Sequence, residues 1–259
     1  MASHPPGSCC YKGVRHEGTP QGKISKLGDF EVYTVGEPSE YGVLIITDVI
    51  GHKFNNVQLI ADQFAANGYF VMMPDLFDGN PITLNRPEGF DIMKWLGGEY
   101  HPNKRAHDPP HVDPIIDSCI IELRQKHGIK KLGAVGYCFG GKYVVRHLLP
   151  DSGKFDAGYT AHPSFVEEAE LKDMRGPLSI AAAETDTIFP TEKRHQTEEI
   201  LKESKLRYQI NLYSGVEHGF AVRGDPEKRE VQYAKEAAFL QAVQWFDEFL
   251  KGESLRRSK

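Results

Sequence analysis

The chain has 259 residues, enough for one sizeable α/β domain, and no Ser/Gly/Pro-rich linker divides it near the middle. Hydrophobic residues make up 40% and charged residues 26%, and the formal net charge of -5 gives no basic footprint for nucleic acid or an anionic membrane; small molecules are the expected partners. The four cysteines, Cys9, Cys10, Cys119 and Cys138, lack the spacing of a disulfide framework or a paired C-x-x-C zinc pattern, so a reducing, cytoplasmic setting is expected, with no metal and no organic cofactor.

Residues 1–28 are rich in Gly, Pro, His and Lys, which predicts an arm lying over the surface. They lack the apolar core of a signal peptide, and no run in the chain approaches the roughly 20 residues of a membrane span. Adjacent cysteines rarely meet disulfide geometry, so Cys9 and Cys10 are left outside the site. A single domain is expected over 29–250. Residues 30–35 predict a first strand. Residues 43–50, Val-Leu-Ile-Ile-Thr-Asp-Val-Ile, form the kind of β-branched run that is buried on both faces of a parallel sheet, with Asp48 near its end. Val57, Ile60, Ala61, Phe64 and Ala65 recur at helical spacing up to Asn67-Gly68, and residues 69–74 return as a strand, completing one βαβ unit.

Residues 75–111 are an irregular excursion, with Pro81, Pro87, Pro102, Pro109 and Pro110 around one predicted helix at 89–96. A long excursion after a strand commonly forms a lid or pocket wall, and Phe77, Phe90, Met93, Trp95 and Tyr100 provide apolar mass for packing. Arg86 and Lys94 read as solvated cations. Ile115, Ile116, Cys119, Ile120 and Leu123 mark a helical stripe on which Cys119 reads as a structural thiol. A strand at 132–136, a turn and a helix at 142–149 follow. Strands at 155–161 and 178–183 enclose a polar helical segment at 165–173; then come a helix at 191–203, a strand at 207–213, an amphipathic helix at 226–250 and a flexible tail at 251–259. This alternation predicts an α/β fold whose mostly parallel central sheet carries helices on both faces.

Gly136-Tyr137-Cys138-Phe139-Gly140-Gly141 has the Gly-x-Cys-x-Gly spacing of a nucleophile elbow, where a strained residue tops a strand-to-helix turn and glycines remove side chains that would collide with its neighbours. A thiol nucleophile needs a base, and the base needs an orienting group. In open parallel sheets such groups stand at the carboxyl ends of strands. Asp186 follows the strand at 178–183 and His218 the strand at 207–213, in the nucleophile, acid, base order of α/β-hydrolases. The plainer alternatives are a buried cysteine in a Gly-rich turn, a loop-capping His218, and a helix-capping Asp186 with Glu184 two residues away. His162, after the strand at 155–161, is a rival base and reads as a pocket-lining residue.

The elbow, the Asp186-Thr187-Ile188-Phe189-Pro190 stretch and His218-Gly219-Phe220-Ala221 together resemble the dienelactone hydrolase family, cysteine-based α/β-hydrolases that open unsaturated lactones. The resemblance runs from about residue 30 to residue 250. It implies Cys138 as nucleophile, His218 as base and Asp186 as the carboxylate that orients it, with the backbone N–H groups of Val49 and Phe139 as the oxyanion hole. Family members place a glutamate at the end of an early strand against the resting cysteine; here the matching residue is Asp48, one methylene shorter, a candidate modulator of the thiol. They also grip anionic substrates with an arginine after the histidine motif. Val222 stands at that position and Arg223 one residue later, which makes Arg223 a candidate substrate-binding residue, along with His162, Trp95 and Phe220. The expected activity is hydrolysis of an unsaturated lactone or activated ester, of the carboxymethylenebutenolidase type, through a thiol acyl-enzyme, by a monomer or homodimer. Two alternatives stay open: a thioesterase or polyketide-tailoring lactonase or cyclase using the same site, and a non-catalytic small-molecule binder or sensor.

Overall fold

The apolar runs of the sequence become the middle of one sheet. The computed structural model describes residues 2–87 and 89–257. Its strands are β1 (Lys23–Leu27), β2 (Phe30–Val35), β3 (Tyr41–Ile46), β4 (Phe70–Pro74), β5 (Lys131–Tyr137), β6 (Ala157–Ala161), β7 (Leu178–Thr185) and β8 (Tyr208–Glu217). They lie in the order β1-β2-β4-β3-β5-β6-β7-β8. β1 with β2 and β2 with β4 are antiparallel, and every other pair is parallel. The fold is α/β with a mostly parallel sheet. β3 and β5 sit centrally because Val43, Leu44, Ile45, Ile46, Ala134 and Val135 have no face that tolerates water, and all six are fully buried.

Helices cover both faces. They are α1 (Asn55–Ala66), α2 (Ile92–Leu96), α3 (Pro109–Gln125), α4 (Gly140–His147), α5 (Glu168–Asp173), α6 (Thr191–Ser204), α7 (Phe220–Arg223) and α8 (Arg229–Arg257). Alternation along the strands sorts the main ones. On β5, Gly133 meets Phe246 and Leu250 of α8, whereas Gly136 meets Val144 of α4. α1 shares the α8 face, its Phe64 ring lying 4.9 Å from Phe239 and 6.1 Å from Phe246. α3 lies on the α4 side, tied to it by Arg146 and Asp113.

Three of the differences from the boundaries read in the sequence bear on the edge of the sheet, the site and the C-terminal end. β1 lies within the segment assigned to the arm; its exposed Lys23 and Lys26 charge the edge of the sheet, which a pattern of buried apolar residues does not reveal. β8 continues to Glu217, so His218 follows its last residue directly. α8 continues to Arg257, through most of the segment assigned to a tail, while Ser258 and Lys259 fall outside the described residues. No helix among the described residues is long and apolar enough to cross a membrane.

The fold brings the site together through register. β3 and β5 pair in parallel from Tyr41 opposite Lys131 to Ile46 opposite Gly136, so the Thr47-Asp48-Val49 turn emerges beside Tyr137-Cys138. β7 and β8 pair up to Thr185 opposite Glu217, which delivers Asp186 and His218 side by side. The excursion at 75–111 packs onto the elbow: the Phe77 ring lies 5.3 Å from Phe139 and 5.0 Å from Trp95.

Candidate active site

Cys138 tops the turn between β5 and α4 with φ of 50°, a left-handed conformation that costs a non-glycine residue energy and persists only where the surroundings impose it. Backbone hydrogen bonds hold it there: the Cys138 N–H donates to Ala161 O at 3.1 Å, and its carbonyl accepts from Gly141 at 3.0 Å and Ser164 at 2.9 Å. The turn is tight enough to need the glycines flagged in the sequence. A Cβ at Gly140 would stand 1.9 Å from the Ile46 carbonyl oxygen, and one at Gly136 would stand 2.7 Å from the Gly140 backbone.

His218 and Asp186 meet at the ends of β8 and β7. His218 Nδ1 lies 3.0 and 2.9 Å from the two Asp186 carboxylate oxygens. Asp186 Oδ1 also accepts the N–H groups of Ile188 at 2.7 Å and Phe189 at 2.9 Å, which orient the carboxylate. With Nδ1 engaged, His218 presents Nε2 to the sulfur atoms. Burial by itself raises the Cys138 thiol, but a hydrogen bond from Cys10, the charge and hydrogen bond of His218 and the charge of Arg223 outweigh it and hold the thiol well below its ordinary range. For His218 burial acts downward, and the Cys138 thiolate and Asp186 carboxylate overcome it, raising the imidazole to about 10. These directions favour a thiolate–imidazolium pair, an arrangement that can supply a nucleophile beside a group able to donate or accept a proton.

The other candidates from the sequence stand around this centre. Val49 is buried beside the turn and its carbonyl accepts from Ile82 at 2.8 Å. Phe139 precedes α4, its ring against Phe77 and Tyr143. His162 is fully buried, with neither ring nitrogen hydrogen-bonded, and its ring centroid is 5.0 Å from that of His218 and 5.8 Å from that of Phe220. Burial first, and then the charge of His218, push His162 well below its ordinary value, so it is neutral. Trp95 is buried and donates its indole N–H to Asn80 O at 2.8 Å.

Asp48 and Arg223 are joined to each other. Both side chains are 1% exposed and form a salt bridge through Arg223 Nη1 and Asp48 Oδ2. Burial raises the Asp48 carboxyl above its ordinary value, and Arg223 pulls it back only in part. Arg223 Nε donates to Lys12 O at 3.1 Å and Nη2 to Cys9 O at 3.3 Å, so all three guanidinium nitrogens have partners within the chain.

Reading the sequence left out the N-terminal arm, and the fold lays it over the centre. Ala2 and Ser3 donate to Val166 O, and Phe165 donates to His4 O, anchoring the start of the arm. The Ser8–Tyr11 turn then carries Cys10, fully buried, to 3.5 Å from His218 Nε2 and into hydrogen-bond contact with Cys138. Ser164 is a further neighbour, its Oγ 3.6 Å from Cys138 Sγ. Neither had a local signal, since Cys10 and Ser164 reach Cys138 from separate loops. Beside the arm, a cavity of about 380 Å³ is lined by Cys9, Lys12, His218, Phe220 and Arg223 among others.

A mostly parallel sheet clothed on both faces, with a left-handed residue topping the turn into a central helix and a histidine–carboxylate pair at later strand ends, defines an α/β-hydrolase. The chain belongs to the dienelactone hydrolase family, which it matches over residues 30–250, and it is a hydrolase of that family. It is 61% identical over 254 residues to the hydrolase tropI of Talaromyces stipitatus, covering 97% of this chain and 99% of that one. It is 48% identical over 254 residues to the hydrolase pyvD of Aspergillus violaceofuscus, covering 97% of this chain and 100% of the other. The solved structure of dienelactone hydrolase from Anabaena variabilis superposes with a TM-score of 0.64 at 12% identity, covering 89% of this chain and 98% of that one, which is a likeness of fold.

Proposed function

We propose that this hydrolase opens an unsaturated lactone or activated ester by attack of the Cys138 thiolate on the acyl carbonyl. The observation that carries the reading is the left-handed Cys138 beside a His218 whose Nδ1 is held by Asp186 at 2.9 Å. The sulfur adds to the carbonyl carbon, and the backbone N–H groups of Phe139 and Val49 receive the developing oxyanion. The tetrahedral intermediate collapses with loss of the enolate or alkoxide, which takes a proton from His218. Neutral His218 then removes a proton from water, the hydroxide displaces the thiolate from the acyl-enzyme, and the free acid leaves. Lactones whose opened form is an enolate suit this arrangement, because their leaving group needs little protonation. Cys138 has no solvent exposure, so substrate reaches it by displacing part of the Ser8–Tyr11 turn, past the cavity lined by Cys9 and His218.

The test is hydrolysis of a panel of enol lactones, aryl esters and acyl thioesters by the parent and by Cys138→Ala. The expected result is enol-lactone turnover by the parent, an acyl adduct on Cys138 trapped by rapid quench and intact-mass analysis, and no turnover above buffer by the variant. Turnover by Cys138→Ala at the parent rate would overturn the mechanism. A preference for thioesters would replace the substrate class, and a persistent adduct without released product would replace the enzyme with a binder or sensor.

A further inference from the structure

One neighbour of His218 Nε2 comes from outside the proposed triad. Cys10 Sγ lies 3.5 Å away, and the ligand atoms of Cys9, Cys10 and His218 all fall within 4.8 Å of one another. A tetrahedral zinc ion with bonds of about 2.3 Å to sulfur and about 2.0 Å to nitrogen sets its sulfur and nitrogen ligands about 3.5 Å apart. The spacing of Cys10 and His218 already matches that edge. We propose that Cys9, Cys10 and His218 form a binding site for a soft divalent cation, zinc foremost, which closes the hydrolase by occupying the base.

Four independent features fit a metal site. Two sulfur donors and one imidazole are the ligand types that soft and borderline cations prefer. His218 Nδ1 is held by the Asp186 carboxylate, the outer partner that zinc-bound histidines characteristically have, which leaves Nε2 directed at the sulfurs. The Gly7 N–H donates to Cys10 Sγ at 3.4 Å and fixes that sulfur in place, while burial raises the Cys10 thiol above its ordinary value, so an incoming metal has to displace its proton. Cys9 is half-buried and lines the 380 Å³ cavity together with His218, so an ion has a route to the cluster. Cys138 touches Cys10 but stands outside this three-residue cluster, so a water molecule is left to complete the tetrahedron. Binding releases to solvent the Nε2 proton of the His218 imidazolium and one proton from each protonated thiol, and involves no oxidant.

Closure of the hydrolase rests on His218 being the base of the proposed reaction, whereas metal binding itself does not depend on the substrate. The first measurement is accordingly spectroscopic: reduced full-length protein is titrated with cobalt(II) alone, and zinc is then added in competition. Saturation at one equivalent is expected, with a thiolate-to-cobalt charge-transfer band and tetrahedral d–d intensity, both abolished by zinc. Cys9→Ala and Cys10→Ser should each weaken zinc binding by about tenfold or more. Cys9 is the less buried of the two, so its variant serves if Cys10→Ser does not fold. Cobalt binding without a sulfur band, or parent affinity in Cys9→Ala, would overturn the site. In the lactone assay, zinc should inhibit the parent reversibly, with recovery on adding chelator, and the potency should fall by a similar factor in Cys9→Ala. Equal inhibition of both proteins would place the metal on Cys138 and His218 without the arm, and would overturn the proposal.

Discussion

At Cys138, burial acts to protonate the thiol while Cys10, His218 and Arg223 act to ionise it, and the second group prevails. The sign of the pH dependence follows. A thiol lowered below its ordinary range stays ionised as pH falls through neutrality, and His218, raised to about 10, keeps its proton until the pH approaches that value. Alkylation of Cys138 by iodoacetamide, followed by peptide mapping, should therefore keep a nearly constant rate from pH 9 down to pH 7 in the folded protein. In the denatured chain the same rate should fall about 20- to 30-fold over that interval, as for a free thiol of pKa ≈ 8.5. A folded-state rate that tracks the denatured one would show that the ion pair does not form. Cys138, Asp186 and His218, which the fold brings together, were legible at this scale because each carries a local mark: glycines around Cys138, and an Asp or His placed just past a predicted strand. Cys10 carried no such mark. An adjacent cysteine pair in a Gly/Pro-rich arm looks the same whether it is incidental or laid against the base.

Among elements, the β5–α4 turn has the least tolerance. Gly140 passes so close to the Ile46 carbonyl that a methyl group requires backbone, not a side chain, to move. Gly140→Ala should cost about 3 kcal/mol or more, as overpacking against a rigid neighbour does. At Gly97, which closes α2 with φ of -71° and whose added Cβ would meet its nearest neighbour at 3.4 Å, the same change should stay within about 0.5 kcal/mol. Urea unfolding of the two variants measures the contrast, and similar midpoints would refute the role assigned to the turn. Most strands and long helices were readable from periodicity, because burial on one or both faces imposes it. β1 was not, since an edge strand is held by backbone pairing to β2 and carries exposed lysines. The extension of β8 to Glu217 was hidden for a similar reason: its last residues alternate too weakly, with Tyr213 half-buried and Gly215 and Glu217 exposed.

Over the whole molecule, Arg223 is a junction. Its side chain joins the end of β3 through Asp48 to the arm through the carbonyls of Cys9 and Lys12, and its own carbonyl accepts the N–H of Val14 at 2.9 Å. Removing one partner of a buried ion pair leaves the other charge without compensation, at a cost of about 3–5 kcal/mol. Arg223→Leu should lose stability on that scale. Adding Asp48→Leu should return about 1 kcal/mol or more, because the stranded carboxylate is then gone. Thermal or urea unfolding of the two single variants and the double variant decides it, and a double variant as unstable as the sum of the singles would mean that the two side chains do not couple. Engagement of Arg223 by Asp48 also bears on the substrate: a carboxylate on the lactone would have to compete with Asp48 for this guanidinium.

The amino-acid sequence by itself determined the α/β class, the order of most elements and the Cys138, Asp186, His218 set, because strand burial, helix periodicity and the glycine demands of a strained turn are all expressed within a few residues of where they act. Only the tertiary structure decided what surrounds that set. Cys10 meets His218 across 208 residues and Arg223 meets Asp48 across 175. Such pairings depend on how the whole sheet and the arm pack, and a cysteine or an arginine carries no local pattern that names its distant partner.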